Sequence, residues 1–123
     1  MFKDKILTPL EQKVMNILWD IEKGYVKDIL DHWMESPKPA YNTVSTIVRI
    51  LQDKGFVNHY AQGRNHEYFP TVSRDSYKGT FLKSAVQTVF SGSATSLISA
   101  LIENDAIDPT ELEQLKALIN EKL

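Results

Sequence analysis

The chain has 123 residues, 42% apolar and 24% charged, a composition that suits one ordinary globular domain or two very small ones. It has no cysteine, which excludes a disulfide framework and thiolate metal sites. Its start, Met1-Phe2-Lys3-Asp4-Lys5, does not read as a signal peptide. No apolar run approaches the ~18 residues of a membrane span, so a cytoplasmic protein without membrane insertion is expected. The net charge of −2 is unpromising for a nucleic-acid binder, but it is unevenly spread. Residues 38–66 hold Lys38, Arg49, Lys54 and Arg64 against Asp53 alone. A local positive surface is what phosphate contact requires.

The first helix is announced by "LTPLEQ". Thr8 is placed as N-cap, Pro9 at the first helical position and Glu11 where a capping box closes. Leu10, Val14, Ile17, Leu18 and Ile21 form one apolar side, and Lys23-Gly24 reads as the stop. A second helix follows, with Val26, Ile29, Leu30 and Trp33 at helical spacing, broken by Ser36-Pro37-Lys38-Pro39. Trp19 and Trp33 fall on apolar sides and read as core.

The third helix is the stretch "AYNTVSTIVRILQDKG", residues 40–55. Val44, Ile47, Val48 and Leu51 form the buried stripe. Asn42, Ser45, Thr46 and Arg49 fall on the opposite side, where a solvated helix would show a Glu/Lys mixture. After Gly55 the period changes. "FVNHYA" and "EYFPTV" are rich in aromatic and β-branched residues and flank "QGRN", which reads as a β-hairpin with Gly63, Arg64 and Asn65 at its tip. Pro70 confines the second strand to an edge or to its last residues.

From Ser73 the chain is helical again. One helix is expected over about Arg74 to Phe90, interrupted by "SGS" at 91–93. A short apolar helix with Leu97, Ile98, Leu101 and Ile102 follows. "DAIDPTELEQ" then repeats the opening grammar, with Asp108 as cap, Pro109 as first residue and Glu111 closing the box. Leu112, Leu115, Leu118 and Ile119 stripe the last helix. A segment of this size cannot easily bury so many apolar groups alone. A partner copy presenting the same surface is the economical solution, and packing back onto the first half is the alternative.

Three helices, the third with a polar, cation-bearing face, followed by a hairpin, make a winged helix-turn-helix. The expected fold is mainly α with a small β-hairpin wing. Residues 1–72 form the DNA-binding domain and residues 73–123 a three-helix dimerisation region. The major groove admits one α-helix and offers donors, acceptors and thymine methyls. Asn, Arg, Ser and Thr are the side chains that read such edges, and short ones allow close approach. Arg64 at the tip can reach a phosphate or a narrow minor groove. Structural alternatives stand beside each residue. Asn42, Thr43 and Ser45 can cap the helix start, Arg49 can pair with Asp53, and Tyr41 can pack beneath the helix.

Enzyme readings fare worse. No nucleophilic triad, glycine-rich phosphate loop or pair of carboxylates in an apolar setting stands out, and no cofactor is expected. His59 and His66 sit on the two strands beside Glu67. With a two-residue turn at Gly63-Arg64, however, residue 59 faces 68 and 66 faces 61, so they are not directly opposed.

"LTPLEQKVMNILWD", "VKDIL" and "YNTVSTIVRILQDKGFVNHYAQGRNHEYFPTVS" resemble the BlaI/MecI-type repressors, the family governing bacterial β-lactam resistance genes and, in related branches, copper homeostasis. The "ILW", the "YNTV" entry to the third helix, the "KGFV" exit and the "GR…YFP" wing carry the resemblance over about residues 6–75. It continues more weakly into "VFSGSATSLISALIEN" and "ELEQLKALI". The resemblance implies a homodimeric repressor on a double-stranded operator with dyad symmetry. Asn42, Thr43, Ser45, Thr46 and Arg49 would face the major groove, Tyr41, Arg64 and Lys38 would hold the backbone, and Asn65 would be a further DNA contact. Phe81, Val86, Phe90, Leu97, Ile98, Leu101, Ile102, Leu112, Leu115, Leu118 and Ile119 would supply the dimerisation surface. It further implies release by proteolysis of the C-terminal region after a membrane sensor-protease responds to antibiotic. In the best-known members that cut falls between Asn and Phe. The aligned position here is Ala100-Leu101, so that pair is absent. The copper-responsive branch binds metal through C-terminal cysteines, which this chain lacks. A winged helix used for protein contacts, or a small-molecule sensor with a pocket in its C-terminal half, are the competing readings.

Overall fold

In the computed structural model, which describes residues 6–122, the first helix, α1 (Pro9–Ile21), begins as its cap predicts. Met1–Lys5, the start read above as unlike a signal peptide, and the side chain of Gln62 lie outside the described residues. The Glu11 backbone N–H donates to Thr8 Oγ1 at 3.3 Å, and the Thr8 N–H donates to Glu11 Oε1 at 2.9 Å. Two orphan donors of the helix start are thereby satisfied. Val14, Met15 and Leu18 are fully buried, and Leu10, Ile17 and Ile21 pack against them in part.

The helix ends earlier than the expected Lys23-Gly24 stop. Glu22 takes the left-handed turn, φ 73°, and its N–H donates to the Leu18 carbonyl. Gly24 has another task. Its N–H donates to the Tyr68 carbonyl at 2.9 Å and its carbonyl accepts the Tyr68 N–H at 2.8 Å. It is a one-residue third strand against the hairpin.

Helix α2 (Val26–Asp31) is short, with His32 as its C-cap. Trp33 lies just beyond it and is buried. Helix α3 (Tyr41–Asp53) presents Val44, Val48 and Leu51 to the core, all fully buried. Burying each such side chain stabilises by about 1.5–3 kcal/mol, which anchors this helix on its dry side. The chain leaves α3 through Gly55, whose φ of 87° a side chain would oppose.

Strands β1 (Val57–Gln62) and β2 (Asn65–Pro70) pair antiparallel, with His59 opposite Tyr68 and Ala61 opposite His66. That is the register a two-residue turn at Gly63-Arg64 requires. Pro70 sits at the strand's end, where a missing N–H is harmless.

Helix α4 (Arg74–Thr88) stops before the expected Phe90, at a turn in which Ser91 and Gly92 have positive φ. Its first turns belong to the first half. The Tyr77 hydroxyl accepts the Leu7 N–H at 3.0 Å, and the ring meets Phe56 edge-on at 5.6 Å. Arg74 donates to the Asn16 carbonyl at 3.1 Å and to Asp20 at 2.8 Å, with its guanidinium 5.4 Å from the Trp19 ring centre. Trp19 is half-buried and its indole N–H donates to the Val72 carbonyl at 2.8 Å. The domain boundary was expected after residue 72. The first compact unit ends at Phe81 and the second begins at Leu82. Phe81, expected at a dimer surface, borders a groove beside Trp19 and Tyr77 in the first unit.

In the second unit, Ser93 caps α5 (Ala94–Glu103) by accepting the Ser96 N–H. Asp108 accepts the Glu111 N–H at 2.8 Å at the start of α6 (Pro109–Lys122). No described residue from Leu82 to Lys122 is buried. No helix among the described residues is long and apolar enough to cross a membrane.

Candidate nucleic-acid interface

The dry side of α3 fixes which side faces out. With Val44, Val48 and Leu51 in the core, Asn42, Thr43, Thr46 and Arg49 are exposed and Ser45 is half-buried. The N-cap is Ala40, which makes no side-chain cap. Asn42, Thr43 and Ser45 are therefore not the N-cap, the structural alternative to a contact role. Thr46 Oγ1 donates to the Asn42 carbonyl at 2.9 Å. The Arg49 guanidinium lies back along the helix, with Nε 3.3 Å from the Ser45 carbonyl and Nη2 3.5 Å from Ser45 Oγ. These long, weak contacts park the cation without neutralising it.

The hairpin stands beside this face. Between them is a cleft of about 260 Å³. Tyr41, Ser45, Arg49, Arg64 and Asn65, all expected site residues, line it. Tyr41 is 55% exposed, so it borders the cleft and does not pack beneath the helix. Arg64 reaches the cleft from the turn, where Gly63 has φ 62°. Lys38 is exposed in the loop before α3 and does not line the cleft; nor do Asn42, Thr43 and Thr46, which occupy the outer surface of the helix.

Further residues, Val26 in the cleft and Asp28 in an adjoining recess among them, were not singled out as contacts by sequence. Tyr25, His66 and Tyr68 line the same cleft, and Lys27 lines an adjoining recess with Tyr25, Tyr41 and Asn65. Strand alternation carries the signal for two of them: residues 66 and 68 share one face of β2. Tyr68 is almost wholly buried. Burial pushes its phenol above the ordinary value, Arg49 pulls it back, and Tyr41 adds to the rise. The hydroxyl stays neutral and able to donate.

Two guanidinium-bearing and three phenol-bearing residues thus line one cleft beside a helix face of Asn, Ser and Thr. Guanidinium forks match phosphate geometry, and short polar side chains match base edges. The two histidines of the hairpin are diagonal neighbours, as the register dictates, and their rings stack with centroids 4.0 Å apart.

Comparison with known proteins agrees with this layout. The family model described as "Penicillinase repressor" matches residues 7–121. The methicillin resistance regulatory protein MecI of Staphylococcus aureus (strain N315) is 23% identical over 116 residues, covering 94% of each chain. The penicillinase repressor of Bacillus licheniformis is 22% identical over 115 residues, covering 94% of this chain and 90% of that protein. Among solved structures, the DNA binding domain of the repressor BlaI matches with a TM-score of 0.50 and 22% identity, over 58% of this chain and 87% of that one. That likeness supports the winged-helix fold. The match of the family model across nearly the whole length shows that the chain belongs to the penicillinase repressor family.

Proposed function

We propose that this chain is a DNA-binding transcriptional repressor that acts as a homodimer on a dyad-symmetric operator. The observation that carries the reading is the two-sided α3. Its core side is fully buried, and its outer side offers Asn42, Thr43, Ser45, Thr46 and Arg49 beside a cleft with Arg49 and Arg64 on its walls. The outer side chains read base edges in the major groove. Tyr41, Arg64, Asn65 and Lys38 hold the backbone, which fixes register without reading sequence. The names of the relatives support the same role, since one is called a penicillinase repressor, another a regulatory protein, and one solved likeness is the DNA binding domain of a repressor.

The homodimer is supported by the second unit, where apolar side chains such as Leu82, Val89, Ile102, Leu118 and Ile119 stay exposed. A two-fold partner covers such a surface. Two recognition helices then sit about one helical turn apart, ~34–36 Å, or a multiple of it. Each half-site binds weakly alone and tethering multiplies affinity. Release by a sensor-protease in the cytoplasm fits this design, because a cut that separates the halves abolishes occupancy. Ala100 and Leu101 lie inside α5, so cleavage there requires the helix to open first.

Selection of bound sequences from random duplex DNA at near-physiological salt tests the reading. An enriched palindrome supports both base readout and a two-fold dimer. Absence of enrichment from folded protein turns the α3 face into a protein-docking surface.

A further inference from the structure

The register keeps His59 and His66 from facing each other directly across the hairpin. His59 is half-buried and His66 exposed. The rings are parallel within 9° and 4.0 Å apart. His59 Nδ1 lies 2.7 Å from Gln52 Oε1 of α3, so the stack is tied to the recognition helix. His66 lines the cleft that holds Arg49 and Arg64, and both rings line a recess on its other side. Parallel rings do not converge their nitrogens on one ion, which removes metal chelation as the reason for the pairing.

We propose that the His59–His66 stack is a titratable phosphate contact of the proposed DNA interface, taking up a proton as the DNA backbone enters the cleft. The inference rests on the DNA-binding reading. Like charge opposes protonation of both of two imidazoles at this separation. The groups facing the pair are Arg49 and Asp53 from α3, Tyr68 from β2, and Arg64, Tyr25 and Tyr41 across the cleft. A backbone phosphate arriving against His66 tips the balance toward the imidazolium. Proton and DNA then bind with positive coupling, and the coupling is reciprocal. Between pH 6 and 8 imidazole is the side chain of this set whose ordinary titration falls in range.

The prediction is that affinity for duplex DNA rises about three- to tenfold from pH 8 to pH 6 at fixed salt, through uptake of up to one proton. Anisotropy of a rhodamine-labelled random-sequence duplex at low salt measures it, with circular dichroism confirming the fold at each pH. His66→Gln is expected to bind no better at pH 6 than at pH 8. His66→Lys, which keeps a cation at every pH tested, is expected to bind at pH 8 as the parent does at pH 6. His32→Gln, at the C-cap of α2 and outside the cleft, keeps the full slope. DNA binding with no slope, or a slope retained by His66→Gln, overturns the inference and leaves the DNA-binding reading intact. No DNA binding by folded protein at either pH overturns both.

Discussion

Glu11 and Lys54 are joined by hydrogen bonds of 2.8 and 2.9 Å to the two carboxylate oxygens, although 43 residues separate them in the chain. The pair ties the cap of α1 to the end of α3, and so holds α3 by its C-terminal end. Glu11 is 3% exposed. Burial alone would raise its carboxyl, but the Lys54 ammonium and the Thr8 N–H outweigh it, and the group is held below the usual value of 4.5. Glu11→Gln is expected to lower stability by about 1–3 kcal/mol at neutral pH, less than a fully desolvated pair because Lys54 keeps some solvent. A folded-state pKa that is lowered contributes stability above about pH 4.5 and loses it as pH falls through the folded value. The gap between parent and variant in urea titrations should therefore narrow below pH 4.5. A gap that is constant down to pH 3 would remove the charge from the explanation.

Gly24→Ala tests the bridge to the wing. A Cβ there would lie 2.8 Å from Ile21 Cδ1 and 3.0 Å from Asp28 Cβ. The Ile21 methyl can move aside, whereas Asp28 is held by its bond to the Tyr25 N–H at 2.9 Å. Alanine is expected to destabilise by about 1–2 kcal/mol through overpacking and to loosen the hairpin. Thermal unfolding and hydrogen exchange at the Tyr68 amide measure the two effects.

These two sites mark what was legible in the sequence. The Thr8-Pro9-Glu11 box and the hairpin register are local patterns, fixed by neighbours three residues apart or by a two-residue turn, and both stand in the structure. The α3 stripe is likewise local. The Glu11–Lys54 pair and the Gly24–Tyr68 bridge are long-range, and a single bridging residue leaves no alternating pattern to read. The place of Tyr68 in the cleft depended on which hairpin face meets α3. The ties of Arg74 and Tyr77 to the first half were not legible, because both sit in a segment of helical spacing while their partners Asp20, Asn16 and Leu7 lie in the distant start of the chain.

Arg49 and Arg64 should separate by role. Arg49→Ala, on the helix face, is expected to lose about 1–3 kcal/mol on the selected operator and to relax preference at one base position. Arg64→Ala, at the wing tip, should weaken binding to all sequences alike and reduce the salt slope by about one. Titrations of operator and scrambled duplex at several salt concentrations distinguish them. Equal losses on both duplexes for Arg49→Ala would remove it from base reading.

The second unit supplies the last test. Leu97, Ile98, Leu101, Leu112 and Leu115 are half-buried, whereas Ile102, Leu118 and Ile119 are 47%, 51% and 48% exposed. The second group is the more open to a partner copy. Leu118→Glu leaves the carboxylate in water in a monomer but buries it against apolar surface in a dimer, where it lacks compensation. It is expected to raise the dimer dissociation constant at least about a hundredfold, roughly 3 kcal/mol, with helix content unchanged by circular dichroism. Sedimentation velocity across a concentration series measures the shift. Operator affinity should fall in step, since two half-sites then bind without a tether. A Leu118→Glu protein that sediments as the parent does would move the interface off this face of α6.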